Sequence, residues 1–304
     1  MGLISITTQT KPHRNVGLFY TTYLAIFKKI AIFVIYLYII IMKKGFTLVI
    51  PLYNKEYCVR QTLDSVLNNH GEYPFKCVII DDDSTDGSSA IGEEYDIKYP
   101  DVFQYYKIKH HGNKSPVNAG NIGIKIADTK YIGFLDADDE LCAGFIDRGC
   151  TFLDEHPEYS MYGNGHRIRF ANESGDIEET VWNYAFNEVT DFISCLYAGA
   201  QDVHFCSSIY KTELVRDNLF TDNYCEDAIF KLKYIYKNPN IYIDNSTCES
   251  IIWNRQYNES YNWNLPRTND SMIKEVFLTL KKEIPNFKYD YTFTDDNKII
   301  LTEK

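Results

Sequence analysis

The sequence predicts an α/β fold in which a mostly parallel central sheet is followed by a mixed, partly helical region. Short aliphatic runs bounded by glycine and proline alternate with segments whose apolar residues recur at helical spacing. Runs this apolar are typical of strands that helices cover on both faces of a sheet. Two of the runs end in clusters of aspartate. Because ligands bind beyond the carboxyl ends of the strands in such sheets, the clusters mark the predicted site.

Strands and helices alternate in the first half of the predicted fold. The strands are predicted at 46–51, 75–80, 102–107 and 131–135, and the helices at 56–68, 88–95 and 118–127. After about residue 147 the pattern loosens. Strand-like patterns then lie at 160–171 and 203–210, and helical patterns at 187–197 and 228–237. The last segment, 290–304, is mostly polar and is expected to be a loosely attached tail.

Charge and cysteine content exclude some classes of function. The 304 residues include 31 Lys and Arg against 42 Asp and Glu, a net charge of −11. This balance disfavours nucleic-acid binding, which depends on clustered cations, and it favours a metal or a metal-chelated anion as ligand. The eight cysteines form no C-x-x-C pair, so we expect buried thiols in a reducing compartment rather than a disulfide framework or a zinc site.

Residues 1–42 are expected to lie outside the α/β fold. The uncharged apolar run at 30–42 has about a dozen residues, fewer than the ~20 that cross a bilayer. Met42-Lys43-Lys44 also lacks the small residues of a signal-peptide cleavage site. Three interpretations are open: a membrane-associating segment, an uncleaved anchor, and an extension upstream of a start at Met42.

The two acidic clusters suggest a site for a metal-chelated nucleoside diphosphate. Asp136 and Asp138 follow one strand with one residue between them, so their carboxylates lie on the same side of an extended chain. Such oxygen ligands bind Mg²⁺ or Mn²⁺ and leave positions open for phosphate oxygens. Asp81 and Asp82 end another strand, where carboxylates can accept hydrogen bonds from a nucleobase and a ribose.

Two other interpretations of these clusters remain open. Aspartate and serine after a strand are common in turns and helix caps, so each cluster can be a turn only. The spacing of Asp82, Ser84, Asp86 and Glu93 also imitates an EF-hand calcium loop. A β-branched strand precedes that loop where an EF-hand has a helix, which disfavours calcium.

From Gly45 to Ser260 the chain resembles the family 2 glycosyltransferases. The motifs that carry the resemblance are VIPLYNK at 49–55, VIIDDDSTDGS at 78–88, AGNIG at 119–123, YIGFLDADD at 131–139, Glu226-Asp227, and Arg255 with Ser260. The resemblance implies a GT-A fold, which is Rossmann-like and binds nucleotides. It also implies a nucleotide-sugar-binding half at 43–150, an acceptor-binding half with the catalytic base at 151–265, and a C-terminal helix and tail at 266–304.

The resemblance also implies a role for individual residues. Asp82, with Asp81, matches the position that holds the base, and Asp136, next to Ala137, matches the carboxylate near the ribose. Asp138 matches the metal ligand on the diphosphate. Asp227 matches the general base. The remaining donor-binding positions that the resemblance implies are Pro51, Tyr53, Glu56, Asn121 and Arg255.

Two positions depart from the family pattern. Asp83 stands where the family usually has glycine, and Gly120 stands where an arginine usually precedes Asn121. That arginine supports the donor phosphates in the family, so Lys114 or Arg255 is expected to take its place here.

The function implied by the resemblance is a metal-dependent, inverting transfer of a sugar from a nucleotide-sugar, with UDP favoured. Mn²⁺ or Mg²⁺ is the implied cofactor, and a saccharide or lipid-linked saccharide of a surface glycan is the implied acceptor. The expected location is the cytoplasm or the cytoplasmic face of a membrane. The alternatives are a non-catalytic nucleotide- or calcium-binding module and a sugar-nucleotide pyrophosphorylase. The latter is disfavoured because residues 51–60 contain no glycine-rich, basic phosphate loop.

Overall fold

The computed structural model divides the chain into two compact units, Met1–Lys43 and Lys44–Lys304. The residues that it describes are 28–29, 44–69, 71–109, 116–171, 176–183, 187–190, 192, 204–222, 226–254, 269–293 and 299–303. In the first unit this covers Lys28 and Lys29, which are helical and exposed. In these ranges no helix combines the length and the apolar composition needed to cross a membrane.

Strands and helices of the second unit alternate as the sequence predicts up to Phe134, whereas the strand at Glu140–Leu141 and the helix at Phe145–Glu155 were not predicted. The strands are β1 (Phe46–Leu52), β2 (Phe75–Asp82), β3 (Phe103–Ile108), β4 (Tyr131–Phe134), β5 (Glu140–Leu141), β6 (Met161–Ala171), β7 (Ile177–Trp182), β8 (Glu188–Val189), β9 (Ser208–Lys211), β10 (Ile241–Asn254), β11 (Tyr289–Phe293) and β12 (Ile299–Glu303). The α-helices are α1 (Val59–Leu67), α2 (Ser88–Lys98), α3 (Val117–Ile126), α4 (Phe145–Glu155), α5 (Thr212–Val215), α6 (Glu226–Lys237) and α7 (Asn269–Glu283).

One large mixed sheet, parallel in its longer ladders, forms the centre of this unit. Its strand order is β3-β2-β1-β4-β9-β6-β10-β5, with β7 paired to β6 and β8 paired to β10. Strand β1 is parallel to both β2 and β4, so Leu48 lies opposite Cys77 on one side and Gly133 on the other. The order of the strands reverses between β1 and β4, and ligands bind at such a reversal in open α/β sheets.

Apolar side chains cover both faces of the sheet. Along β1, Val49 belongs to one buried cluster, whereas Leu48 and Ile50 belong to the other. This alternation is the period of two of a strand buried on both faces. Helix α3 approaches β1 so closely that a Cβ on Gly123 would lie 2.3 Å from Cγ1 of Val49. Only glycine therefore fits at that crossing.

Three segments after residue 186 differ from the expectation. Within 187–197, Glu188–Val189 is a short strand rather than a helix, because it pairs with β10. Within 203–210, a 3₁₀ turn at Phe205–Ser207 precedes β9. The expected loose tail contains β11 and β12, which pair with each other as an antiparallel hairpin. Strand pairing decides the first and the third of these differences, and the polarity of a segment does not indicate its pairing partner.

Strand β10 carries a large bulge beside β6. Asp244 pairs with Asn164, but the next residue of β6, Gly165, pairs with Cys248. Residues 245–247 are therefore extra on the β10 side, and we refer to them as the β10 bulge. Bulges of this kind redirect side chains and are frequent near functional sites.

Candidate active site

Lys55 and Asp138 face each other where the carboxyl ends of β1 and β4 meet. The Nζ atom of Lys55 lies 2.7 Å from Oδ2 of Asp138, and the two side chains are 23% and 12% exposed. Burial lowers the pKa of Lys55, but the charge and hydrogen bond of Asp138 outweigh it and raise that pKa overall. A charged lysine therefore contacts the carboxylate for which the sequence predicts a metal. The sequence analysis assigned no role to Lys55. The feature that could have indicated one is its position three residues after the end of β1.

Acidic residues from two distant parts of the chain gather at this point. Burial first, and then the charges of Asp138 and Asp227, raise the pKa of Asp136 to about 7, while Lys55 acts in the opposite direction. Carboxylates this close repel one another, and a divalent cation, which prefers carboxylate oxygens, removes that repulsion. The acidic residues present therefore fit the Mn²⁺ or Mg²⁺ that the resemblance implies.

The loop that carries Asp136 and Asp138 is fixed from two sides. The main-chain oxygen of Ala137 accepts hydrogen bonds from Thr62 Oγ1 at 2.9 Å and from Cys58 Sγ at 3.6 Å, both on or next to α1. Asp139, which is 4% exposed, accepts a hydrogen bond from the main-chain N–H of Trp253 at 3.0 Å. The two carboxylates are thus held by a helix and by β10 rather than by the loop alone.

Cys206 adds a contact beneath the same loop. Its Sγ accepts a hydrogen bond from the main-chain N–H of Asp136 at 3.4 Å and donates one to Oδ2 of Asp139 at 3.6 Å. The main-chain N–H of Cys206 in turn donates to Nδ1 of His204 at 3.3 Å. Asp139 and Cys206 support the site without having been predicted. Asp139 ends the motif at 131–139, but the resemblance implies no role for it, and Cys206 lies outside the motifs.

Asp81 is buried at the end of β2 and organises the loop that follows. Its carboxylate accepts hydrogen bonds from the main-chain N–H of Ser84 at 2.8 Å, from Tyr105 Oη at 2.6 Å and from Ser89 Oγ. Burial raises the pKa of Asp81, but the hydrogen bonds from Ser89, Tyr105 and Ser84 outweigh it and lower that pKa. Asp81 is therefore a charged structural anchor, and Asp82 beside it is also buried.

The loop after β1 is hydrogen-bonded to the loop after β2. Oε2 of Glu56 accepts a hydrogen bond from the main-chain N–H of Gly87 at 2.8 Å, and the N–H of Glu56 donates to Asp86 Oδ2 at 3.1 Å. The main-chain N–H of Lys55 donates to Ser88 Oγ at 2.7 Å. Pro51 and Tyr53, at the end of β1, are half-buried. The loop that contains Glu56 is thus hydrogen-bonded to the segment that follows Asp81 and Asp82.

A cluster of four phenylalanines connects Asp227 to the acidic loop. Phe134, at the end of β4, stacks on Phe205 with ring centroids 4.6 Å apart, and Phe220 stacks on Phe230 at 4.2 Å. Phe134 also contacts Phe220 and Phe230 edge-on at 5.3 and 5.6 Å. We call these residues the aromatic cluster.

Helix α6 presents Asp227 from one end of this cluster. Phe230 is one turn after Asp227 on α6, and Asp227 itself is exposed in the first turn. A carboxylate in that position is favoured by the helix dipole, and it is open to an incoming hydroxyl. Burial first, and then the charges of Asp227 and Asp222, raise the pKa of its neighbour Glu226.

Asn121 binds the main chain of Phe220 through both ends of its amide. Its Nδ2 donates to the oxygen of Phe220 at 3.0 Å, and its Oδ1 accepts from the N–H of Phe220 at 2.8 Å. A Cβ on the preceding Gly120 would lie 2.9 Å from the Phe220 ring. The ring thus fills the space next to Gly120, which explains why no larger residue stands there. The amide of Asn121 fixes the segment that leads to α6, a contact that the sequence did not predict.

Arg255, the remaining donor-binding candidate, lies outside the described residues, as does Lys114. Of the other predicted residues, the structure brings Asp136, Asp138 and Asp227 into one electrostatic group. It places Asp81 and Asp82 at the end of β2 and Glu56 in the loop after β1.

Sequence comparison gives a family and relatives with partial coverage. The model of the family described as glycosyl transferase family 2 matches residues 47–219. Minor teichoic acid biosynthesis protein GgaB of Bacillus subtilis strain 168 is 36% identical over 112 residues, which are 36% of this chain and 12% of GgaB. Poly(ribitol-phosphate) beta-N-acetylglucosaminyltransferase TarS of Staphylococcus aureus strain Mu50 is 26% identical over 202 residues, which are 64% of this chain and 33% of TarS. The chain thus matches a third or less of the length of these two relatives.

Comparison with solved structures supports the fold. Residues 1–349 of S. aureus TarS in complex with UDP superpose with a TM-score of 0.57 at 20% identity, covering 69% of this chain and 60% of that one. The mannosyltransferase PcManGT from Pyrobaculum calidifontis, in complex with GDP-Man and Mn²⁺, superposes with a TM-score of 0.56 at 15% identity, covering 80% and 66%. The fold is therefore GT-A, as the resemblance implied. Because the family model spans more than half of the residues, the chain belongs to glycosyl transferase family 2.

Proposed function

We propose that this chain transfers a sugar from a UDP-sugar to a hydroxyl of a cell-surface polymer, with inversion at the anomeric carbon. The observation that carries the proposal is the contact of Lys55 with Asp138 at the reversal of strand order, where the charges of Asp138 and Asp227 also act on Asp136. TarS structures that share this fold contain UDP or UDP-GlcNAc, which favours a UDP-sugar as donor. The names of GgaB and TarS favour a teichoic-acid-like polymer as acceptor.

The proposed donor site lies along the carboxyl ends of β2, β1 and β4. Asp82, held by Asp81, faces the base, and the loop with Pro51, Tyr53 and Glu56 borders the nucleotide. Asp136 and Ala137 lie at the ribose and Asp138 at the diphosphate. A divalent cation on Asp138 supplies Lewis-acid neutralisation of the leaving diphosphate when it is bound. Asn121 and Arg255 are the remaining residues of the proposed donor-binding set. Asn121 contributes by holding the backbone of Phe220 with both ends of its amide.

Asp227 is the proposed general base. It is exposed at the first turn of α6, whereas Asp136 and Asp138 lie in the loop after β4. Asp227 accepts the proton of the acceptor hydroxyl as the oxygen attacks the anomeric carbon from the side opposite the diphosphate. Direct displacement of this kind inverts the configuration and forms no covalent intermediate with the chain.

The base assignment is tested by Asp227→Asn, with Asp217→Asn as a matched control on the exposed surface. General-base catalysis contributes about 10²–10⁴-fold, so we expect Asp227→Asn to lower kcat by about that factor with little change in UDP affinity. The control should retain the wild-type rate. Transfer by Asp227→Asn at the wild-type rate would show that another group takes the proton.

The reaction class and donor are tested with a panel of UDP- and GDP-sugars in the presence of Mn²⁺, Mg²⁺ or EDTA. We expect metal-dependent release of UDP from one donor, abolished by Asp138→Ala. Donor binding without release or transfer would favour the non-catalytic binding module instead.

A cytoplasmic site of action, with membrane contact through residues 1–42, is part of the proposal. Cell fractionation of the full chain and of a chain begun at Met42 tests it.

A further inference from the structure

A polar cavity of about 410 Å³ lies between the β10 bulge, the end of β7 and the start of α4. Its polar lining consists of two guanidinium groups, two amides and two hydroxyls, from Arg148, Arg167, Asn183, Asn245, Ser246 and Thr247. None of the described residues that line it is acidic, although the chain as a whole carries a net charge of −11. Such a concentration of donors without carboxylates is the chemistry of an anion site.

The β10 bulge is held in shape by a carboxylate behind it. Oδ1 of Asp244 accepts hydrogen bonds from the main-chain N–H of Ser246 at 2.9 Å and from its hydroxyl at 2.5 Å. Oδ2 of Asp244 accepts a hydrogen bond from Tyr162 Oη at 2.9 Å. Since both oxygens are engaged by the protein, the bulge that forms one wall of the cavity is fixed before any ligand arrives.

The arginine side of the cavity retains positive charge. Glu179 is shared between Arg169, at 2.7 Å, and Arg167, at 3.5 Å, so a single carboxylate faces two guanidinium groups. Nη2 of Arg148 donates to the main-chain oxygen of Ala143 at 2.9 Å, and the charge of Arg148 also acts on the Asp244 carboxylate behind the bulge. The carboxylates of Glu179 and Asp244 thus face the three guanidinium groups of Arg148, Arg167 and Arg169. Buried Nε of Arg167 and Oγ1 of Thr247 have no hydrogen-bond partner among the described residues. Unmet buried donors are costly, and an anion that accepts from both removes the cost.

The cavity is close enough to the acidic loop to act on the same substrate. Cys142, which also lines it, is four residues after Asp138, so the chain between them spans at most ~14 Å. Arg167 enters the cavity from β6, directly after His166. A polymer chain can therefore reach from the cavity to the site at which Asp227 is proposed to act.

We propose that this cavity binds a phosphodiester of the acceptor polymer and thereby sets which hydroxyl is presented to Asp227. The inference rests on the proposed function for the identity of the acceptor, while the anion site itself follows from the cavity. Arginine forks recognise phosphate oxygens in pairs, and the hydroxyls and amides of the β10 bulge and of Asn183 supply the remaining donors. Phosphate-free saccharides lack the group that this site recognises.

Binding of a synthetic glycerol phosphate trimer tests the proposal, with a phosphate-free glycerol trimer of equal length as the comparison ligand. Affinity is measured by microscale thermophoresis for the full chain, for Arg148→Gln/Arg167→Gln and for Arg60→Gln. Arg60 is a matched surface arginine, paired with Glu94, away from the cavity. We expect the wild type to bind the phosphate trimer at least tenfold more tightly than the neutral trimer. The double variant should lose this preference and Arg60→Gln should keep it.

Three results would overturn the assignment. Equal affinity of the wild type for both trimers would mean that the cavity does not read phosphate. An unchanged preference in the double variant would place recognition elsewhere. Arginine-dependent binding of phosphatidylglycerol vesicles, without binding of the trimer, would assign the phosphate to a lipid headgroup rather than to an acceptor polymer. Thermal unfolding and UDP binding of each variant separate loss of fold and failure of the proposed function from loss of this site.

Discussion

Among individual side chains, Lys55 has the most specific consequence for donor binding. Gly120 stands where the family usually has an arginine, and the ring of Phe220 fills the space beside it. Lys55 provides a positive charge in contact with Asp138, the proposed metal ligand. Its ammonium lies 2.7 Å from Asp138, within reach of oxygens bound to a metal there. We therefore expect Lys55 to contribute to the phosphate support that was expected from Lys114 or Arg255, both of which lie outside the described residues.

Replacing Lys55 with methionine should weaken UDP binding about tenfold and leave uridine binding unchanged. A charge-assisted hydrogen bond to phosphate is worth about 1.5–3 kcal/mol, which corresponds to tenfold or more in affinity. Calorimetric titration with uridine, UMP and UDP in the presence of Mn²⁺ measures the effect. Lys76→Met, which removes a lysine paired with Asp128, is the control. A parallel loss for uridine and UDP would contradict a role at the phosphates.

His166 should make the fold sensitive to acid. Burial, and then the charge of Lys231, lowers the pKa of His166 to about 4. Between pH 6.5 and 4 the unfolded chain therefore binds a proton at this residue that the folded chain does not, so stability falls as the pH falls. The difference between the pKa of His166 in the unfolded and in the folded chain corresponds to a loss of at most roughly 3 kcal/mol in the free energy of unfolding.

Urea unfolding at a series of pH values checks this expectation. His166→Phe should lose less stability than the wild type between pH 6.5 and 4, because it has no proton to gain. His156→Gln, at an exposed histidine, should behave as the wild type does. A steep acid-induced loss that persists in His166→Phe would mean that other buried groups, His204 among them, dominate.

For individual residues, the sequence pointed to the carboxylates of the candidate site but not to the side chains and backbone groups that contact the site residues. Asp136, Asp138 and Asp227 were predicted because motif order and strand ends mark them. The contact of Lys55 with Asp138 joins residues 83 positions apart, and those of Asn121 with Phe220 join residues 99 positions apart. No local pattern contains such contacts, so the roles of Lys55 and Asn121 became visible only in the fold.

Among the helices and strands, the close packing of α3 against Phe220 makes Gly120 a restricted position. A Cβ there would lie 2.9 Å from a ring that three other phenylalanines hold in place. Gly120→Ala should lower the free energy of unfolding by about 1 kcal/mol, since overpacking costs about 1–3 kcal/mol and the better helix propensity of alanine offsets about 1 kcal/mol.

A double-mutant cycle with Phe220→Leu isolates this contact. In the Phe220→Leu background the obstructing ring is gone, and Gly120→Ala should become neutral or stabilising in chemical unfolding. Gly123→Ala, whose Cβ would meet Val49 instead, should remain destabilising in both backgrounds. An additive cycle for Gly120 and Phe220 would mean that the ring moves aside at no cost.

For the elements themselves, periodicity predicted the first half well and the second half poorly. Helices α1 to α3 lie within the segments that helical spacing indicated, apart from one to three residues at their ends. The β10 bulge, β8 and the β11–β12 hairpin depend on which strand lies alongside, and the register of a strand follows from its partner.

At the scale of the whole molecule, the described strands of the α/β fold all lie after Lys43. Among the residues that the structure describes, the central sheet and both buried apolar clusters begin at Phe46 or later, and the chain divides after Lys43. A chain begun at Met42 should therefore unfold at the same temperature as the full chain and release UDP from the same donor. Thermal unfolding in detergent-free buffer and a UDP-release assay measure this. Aggregation of the shorter chain would show that residues 1–41 contribute to folding.

The aromatic cluster has a consequence for how such an enzyme can diversify. The four phenylalanine rings pack between β4, which leads to Asp136 and Asp138, and α6, which begins with Glu226 and Asp227. The arginine-lined cavity is formed by the β10 bulge, the end of β7 and the start of α4. None of the four phenylalanines lines the cavity. If the cavity binds the acceptor as we propose, substitutions around the bulge are expected to change which acceptor polymer is bound, while the phenylalanines that support Asp227 remain the same. On these proposals, the residues that select the acceptor are different from the residues that position the catalytic base.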